Sequence, residues 1–169
     1  MSRFLLALLL ILNVPATTFA FSVKEAQICA DKLLSAYNGK TYPRKLLAIE
    51  NIVSTAFGPP YRSFSEAEIA LAQSVGEQHI RESFTESTGK YKYKDLVVSQ
   101  VEATKNGYRA LGEVTVISPK GNGRYSFLAL VIGENCKVYQ VRIADVMTLV
   151  GSLQALLEND PRVRSIYKK

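Results

Sequence analysis

The spacing of apolar residues changes at Gly89, from the period of a helix to the alternation of a strand. After Gly89 the chain has four β-rich runs, at residues 96–103, 108–117, 124–132 and 137–143. The segments between these runs are short and rich in Gly, Asn and Pro, which favour tight turns. The pattern therefore predicts a four-stranded antiparallel meander, in which each strand pairs with the next.

Two helix starts are marked by a Ser with a Glu three residues later, the pattern of a capping box. Ser22 with Glu25 predicts the first helix, and Ser65 with Glu68 predicts a longer one that ends near Gly89. Gly76 lies inside this longer helix, where a glycine indicates close packing against a neighbour.

Prolines mark the limits of the other two helices. Pro43 suits the first position of a second helix, which the segment 58–60 (Gly-Pro-Pro) stops. An apolar stripe from Val146 to Leu157 predicts a last helix, which ends at residues 160–161 and is followed by a basic tail. The expected order is three helices, four strands and one helix.

Residues 1–20 have the features of a cleavable secretory signal. Arg3 precedes an apolar run over residues 4–12, and Thr18 and Ala20 are the small residues expected before a cleavage site. The apolar run is too short for a membrane anchor, which needs about 20 residues. We therefore expect export, followed by a single domain over residues 21–169.

Composition excludes several classes of function. The chain is basic, with a formal net charge of +6, but it has no zinc-finger spacing and no basic recognition helix, so we expect no nucleic-acid partner. His79 is the one imidazole in the sequence, and a structural role is the simplest interpretation of it. One His and two distant Cys match no metal-site spacing, so we expect no metal and no cofactor.

Cys29 and Cys136 are the two cysteines of the sequence, and both follow the predicted signal. An oxidising compartment would permit a disulfide between them. The alternative is two buried free thiols that act as small hydrophobic residues.

The third predicted strand has apolar residues on both of its faces, from Tyr125 to Ile132. A strand with one wet face would alternate, so both faces of this strand should be covered. Either one face, with Tyr125, Phe127 and Val131, lines a cavity for an apolar ligand, or the strand is enclosed in a filled core.

Lysine and tyrosine alternate over residues 90–94, just before the first strand. Such a segment fits a rim that faces a membrane or a lipid headgroup, and it fits equally well an ordinary solvated strand.

Three local patterns resemble the MlaC or toluene-tolerance family of periplasmic phospholipid-binding proteins. The segment 49–53 (Ile-Glu-Asn-Ile-Val) runs into 56–62 (Ala-Phe-Gly-Pro-Pro-Tyr-Arg), the long helix leads directly into the meander, and 137–143 is similar to the final strand of the family. Cys136, Gln140 and Asp145 depart from the family pattern, so the resemblance is to a divergent member.

The resemblance implies an α+β fold related to the nuclear-transport-factor-like cone, with a curved sheet and acyl chains between sheet and helices. It also implies a periplasmic carrier of phospholipid, with an inner-membrane ABC lipid transporter and an outer-membrane lipid complex as partners, which maintains outer-membrane lipid asymmetry. The lipid-binding residues expected on this basis are Val75, Ile80, Phe84, Val114, Val116, Tyr125, Phe127, Ala129, Val131, Val146 and Leu149.

Two other functions remain open from the sequence. An enzyme on the same cone-shaped fold, an isomerase or a hydrolase, would need polar groups such as Asp145 or His79 inside the pocket. A structural envelope protein would have a filled core. The sequence shows no recognisable set of catalytic residues, which favours a protein that is not an enzyme.

Overall fold

The fold is that of a mixed α+β chain, seen in a computed structural model that describes residues 21–105, 107–143 and 148–167. At residues 122, 124–129 and 134 the description covers the backbone alone. The elements, in chain order, are α1 (Val23–Asn38), α2 (Ile49–Phe57), α3 (Glu66–Lys90), β1 (Lys92–Thr104), β2 (Gly107–Ser118), β3 (Gly121–Ile132), β4 (Val138–Ile143), α4 (Leu149–Asn159) and α5 (Arg164–Tyr167).

The predicted meander is confirmed. The four strands form one sheet in the order β1-β2-β3-β4, and all neighbouring pairs are antiparallel. The first three strands are longer than the sequence predicts, since β1 begins at Lys92 and β3 at Gly121, whereas β4 begins one residue later than predicted, at Val138. Irregular register at Lys94/Val97 in β1 and at Gly112/Val114 in β2 marks bulges, which increase the local bend and twist of a strand.

Both predicted capping boxes are present. The Ser22 hydroxyl accepts a hydrogen bond from the Glu25 backbone N–H, and the Glu25 carboxylate accepts one from the Ser22 N–H. Ser65 and Glu68 make the same reciprocal pair at the start of α3. Each pair satisfies backbone donors that a helix start leaves free.

The second helix begins later than the sequence predicts. Pro43 precedes a short 3₁₀ turn (Arg44–Leu46), and α2 starts at Ile49. The intervening chain is extended because it pairs with the sheet: Leu47 bridges to Val138 of β4, and the Ala48 N–H donates to the Val138 carbonyl at 2.9 Å. Tertiary pairing therefore overrides the local proline signal.

The predicted basic tail contains a fifth helix (Arg164–Tyr167). Its neighbour Val163 is fully buried and Ile166 is 6% exposed. These two apolar side chains anchor the segment in the core.

Gly76 marks a close helix contact, as predicted. A Cβ on this residue would lie 2.5 Å from a methyl carbon of Val53, so α2 and α3 pack more closely than an alanine would allow. The core around this contact includes the fully buried side chains of Ile52, Val53, Leu153 and Leu157.

Helix α1 is fastened to the sheet at several points. A disulfide joins Cys29 of α1 to Cys136, which precedes β4. The two cysteines are therefore bonded and are not free thiols. The Gln27 amide donates to the Leu96 carbonyl and accepts from the Val98 N–H, so it replaces a missing neighbour strand along the edge of β1. No helix in the described parts of the chain is long and apolar enough to cross a bilayer.

Candidate functional site

A cavity of about 540 Å³ lies between the sheet and helices α1, α3 and α4. Its floor is buried and apolar, with contributions from all three helices and from the inner face of the sheet. The buried residues of this floor are Ala30, Leu47, Ile80, Val114, Val116, Leu130 and Leu153. The volume is within the range of about 300–1,000 Å³ that is typical of small-molecule sites.

Five of the residues that the resemblance implies for lipid binding line this cavity: Ile80, Phe84, Val114, Val116 and Leu149. They come from α3, β2 and α4, which are far apart in the sequence. The fold therefore brings together side chains that the sequence could relate only through a family likeness.

Two of the expected residues lie elsewhere. Val75 is one helical turn before His79 and is buried in the core at 3% exposure, away from the cavity lining. Val131 is also absent from the lining, because its neighbour Leu130 points into the cavity and adjacent strand residues point to opposite faces. The side chains of Tyr125, Phe127 and Ala129, and all of Asp145 and Val146, lie outside the described residues.

Much of the lining comes from residues that the sequence did not assign to it. Helices α1 and α4 and strands β1 and β4 supply most of them, and the others are two serines of α3, Tyr91, Leu130 and residues 43 and 47 before α2. The apolar stripe of α1 was visible in the sequence, but nothing local shows which surface it covers. These additional residues are Ala30, Leu33, Leu34, Tyr37, Pro43, Leu47, Ser83, Ser87, Tyr91, Tyr93, Leu96, Leu130, Val141, Ile143, Ser152, Leu153 and Leu156.

Aromatic residues line one end of the cavity, next to Tyr91. The Tyr37 ring meets Tyr93 and Phe84 edge-on, with ring centroids 4.7 Å and 5.4 Å apart, and its hydroxyl donates to the Ser87 hydroxyl at 2.8 Å. Burial raises the pKa of the Tyr37 and Tyr93 hydroxyls above the ordinary value, so both stay neutral at physiological pH. This end therefore offers uncharged hydroxyl groups beside apolar rings.

The cavity opens to solvent along the helices. Among its lining residues, Tyr91 at the end of α3 is 38% exposed and Leu156 of α4 is 39% exposed. Ser83 and Ser152 line the cavity on α3 and α4 respectively, and both are half-buried. Small side chains at these two positions leave room between the helices.

His79 is held by an ionic cluster that ties α3 to the end of α4. Its Nε2 lies 2.7 Å from Oδ2 of Asp160, and the guanidinium of Arg162 donates to the same carboxylate from Nη2 at 2.6 Å. Arg162 also donates from Nη1 to the Gln78 side chain at 2.7 Å. His79 borders the cavity, but its Nε2 is engaged by Asp160, which supports a structural role for this histidine.

Hydrogen bonds from the Arg162 side chain, followed by those from its backbone N–H and from His79, hold the pKa of the Asp160 carboxyl well below its usual range. A lowered carboxyl pKa contributes stability that is complete above the unfolded pKa of about 3.9 and is lost as the pH falls toward the folded value. The wild-type free energy of unfolding should therefore decline below about pH 4.

Asp160→Asn should lower the free energy of unfolding by about 2–3 kcal/mol at neutral pH, because the buried carboxylate loses its charge-assisted bonds. The variant should also lose less stability than the wild type between neutral and acidic pH. Urea unfolding at a series of pH values measures both effects. Asp31→Asn, at an exposed site on α1, is the matched control and should change little; equal acid sensitivity in wild type and Asp160→Asn would contradict the assignment.

No group of His, Cys, Asp and Glu within the described ranges is arranged to hold a metal ion. The side chains around the cavity are suited mainly to apolar contact, with the hydroxyl groups of Tyr37 and Ser87 at the aromatic end and those of Ser83 and Ser152 on α3 and α4.

Comparison with known proteins gives a structural similarity. No family model matches the chain, and no curated protein is significantly similar to it. Among solved structures, the chain is similar to a phospholipid-binding protein from Ralstonia solanacearum in complex with a phospholipid, with a TM-score of 0.53 and 11% sequence identity. The match covers 86% of this chain and 90% of that chain, so the two share a fold over nearly their whole lengths.

Proposed function

We propose that this chain is a periplasmic phospholipid carrier, which holds acyl chains in the cavity and moves lipid between the outer and inner membranes. The observation that carries the proposal is the buried apolar floor of a cavity of about 540 Å³ between sheet and helices. The structural neighbour with the same fold binds a phospholipid, which supports the same class of ligand here.

The apolar lining supplies the affinity that such a carrier needs. Each methylene group moved from water into an apolar site contributes about 0.8 kcal/mol. Burial of about ten methylenes is then worth about 8 kcal/mol, which corresponds to a dissociation constant near 1 μM. A cavity of this kind can hold a lipid in water and still release it to a membrane.

The distribution of polar groups sets the orientation of the bound lipid in the cavity. The floor under Ile80, Val114 and Leu130 suits acyl chains, whereas the hydroxyls of Tyr37 and Ser87 lie at the aromatic end, next to exposed Tyr91. We place the headgroup at this end, where it stays in contact with water.

The proposal includes export to the periplasm and exchange of lipid with membrane partners. The signal-like residues 1–20 support transfer to the periplasm, where a disulfide such as Cys29–Cys136 can form. The family likeness supports an inner-membrane ABC lipid transporter and an outer-membrane lipid complex as the partners with which the carrier exchanges lipid.

Native mass spectrometry of the protein, produced from its full coding sequence and purified from the periplasmic fraction, tests the proposal. We expect a polypeptide that begins at Phe21, with added mass equal to one or more phospholipids that organic extraction removes. A preparation that is repeatedly empty of lipid would contradict the carrier and favour an enzyme or a structural envelope protein. A polypeptide that retains residues 1–20 would contradict the predicted signal.

A further inference from the structure

Exposed lysines lie on the chain segments that meet at the end of the molecule near Tyr91. We call this set the lysine rim. All of its members are exposed, and they come from the end of α1, the end of α3, the start of β1 and the β2–β3 turn. The rim consists of Lys40, Lys90, Lys92, Lys94 and Lys120.

Backbone pairing brings these lysines to one end of the molecule. The Asn38 side chain donates to the Tyr93 carbonyl at 2.6 Å and accepts from the Tyr93 N–H, so the end of α1, with Lys40, lies beside the start of β1. Lys92 pairs with Ile117 near the end of β2, and Lys120 lies in the turn that follows. The positions are therefore fixed by the sheet and by α1.

Positive charge predominates at this end. The segment 86–95 holds three lysines and two carboxylates, Glu86 and Asp95, and Glu86 is engaged by Lys90 one turn further along α3. Lys40 and Lys120 add to the charge of this segment from α1 and from the turn. Near an anionic membrane each lysine is attracted electrostatically to the surface.

Tyr91 connects the rim to the cavity. It lies between Lys90 and Lys92 in the chain, it lines the cavity, and it is 38% exposed. An aromatic ring with a polar hydroxyl suits the boundary between headgroups and acyl chains. An acidic protein would complement the charges of the lysines but not the exposed ring of Tyr91. An anionic bilayer complements both the charges and this ring, which leads into an apolar cavity.

We propose that the lysine rim and Tyr91 form a docking surface for an anionic phospholipid bilayer. Docking in this orientation brings the Tyr91 end of the cavity to the membrane surface, beside the membrane partners with which the carrier exchanges lipid, so that the lipid passes with little exposure to water. The inference rests on the proposed function, because docking can serve lipid transfer only if the cavity carries phospholipid.

Flotation with vesicles tests the docking surface. Wild-type protein should float with vesicles of phosphatidylglycerol and phosphatidylethanolamine at low salt, and it should float poorly with phosphatidylcholine vesicles or in about 1 M salt, where charge interactions are screened. Removal of three rim charges in Lys40→Gln/Lys92→Gln/Lys120→Gln should lower the partition coefficient roughly a hundredfold.

The matched control removes three charges at the other end of the sheet, in Lys24→Gln/Lys105→Gln/Lys137→Gln. Lys105 is near the β1–β2 turn, Lys137 precedes β4, and Lys24 is in the first turn of α1. This variant has the same net charge as the rim variant and should keep most of the binding. An equal loss in the two variants, or a wild type that ignores anionic vesicles, would overturn the docking surface.

Tyrosine insertion has its own readout, because the sequence contains no tryptophan. Tyr91→Trp should show a blue shift of its emission when anionic vesicles are added. Leu71→Trp, at a site that is 41% exposed near the start of α3, should show none. No shift at residue 91, or the same shift at residue 71, would overturn the role of Tyr91.

Lipid content is measured on the same preparations by native mass spectrometry, so that the two proposals fail separately. A wild type that carries phospholipid but does not float overturns the docking surface and leaves the carrier in place. A wild type that floats but is empty overturns the carrier, and with it the passage of lipid that docking is meant to serve.

Discussion

Ser83→Trp should reduce the phospholipid retained by the purified protein at least tenfold. Ser83 lines the cavity from α3 and is half-buried, so an indole at this position can enter the space between α3 and α4. A buried tryptophan covers about 150–250 Å² of surface, which is enough to occupy a large part of a site for acyl chains. Native mass spectrometry of variant and wild type measures the bound lipid.

The matched control is Ser74→Trp. Ser74 is exposed on the same helix and, at nine residues from Ser83, it lies on the opposite side of α3. The control should retain the wild-type amount of lipid. Melting temperatures distinguish a filled cavity from a damaged fold, because cavity filling is neutral or stabilising when the fold is intact. Full retention of lipid by a folded Ser83→Trp protein would contradict the assignment of the cavity.

The double variant Cys29→Ser/Cys136→Ser should lose about 4–5 kcal/mol of unfolding free energy, the second large effect that the structure predicts. The disulfide closes a segment with a sequence separation of 107 residues, and in the chain-entropy model a loop of that length restricts the unfolded state strongly. Cys29 is 3% exposed, so the variant also places a hydroxyl in a buried site. The expected fall in melting temperature is roughly 10–20 °C.

Urea unfolding with and without reductant supplies the control. Reductant should destabilise the wild type by a comparable amount and should leave the double variant unchanged, because the variant has no disulfide to reduce. A wild type whose stability is insensitive to complete reduction would show that the bond contributes little. The Gln27 and Asn38 contacts of α1 do not depend on the disulfide, so the fully reduced protein should still place α1 against β1.

The two serines at the cavity show what the sequence could not reveal. Ser83 and Ser152 are unremarkable in the sequence, since a serine on a helix is most simply a solvated residue. They become candidate site residues because α3 and α4 place them around the same space. That placement depends on contacts between segments about 70 residues apart, which no local pattern encodes.

The sequence also could not decide which face of each strand lies inside. Val114 and Val116 line the cavity but Val131 does not, because Leu130 is the neighbour that points inward. A displacement of one residue moves a side chain to the other face of a sheet. In a strand with apolar residues on both faces, alternation alone does not say which set is inside.

Local features of the sequence determined the helix starts at Ser22 and Ser65, the end of α2 before Gly58, and the antiparallel meander, because each depends on residues that are neighbours in the chain. Tertiary structure decided the rest. The start of α2 was fixed by pairing of Leu47 with β4, and the cavity was created by three helices that do not fill the space against the sheet. No single residue or local pattern encodes a cavity, because a cavity is formed by the arrangement of side chains that are distant in the sequence.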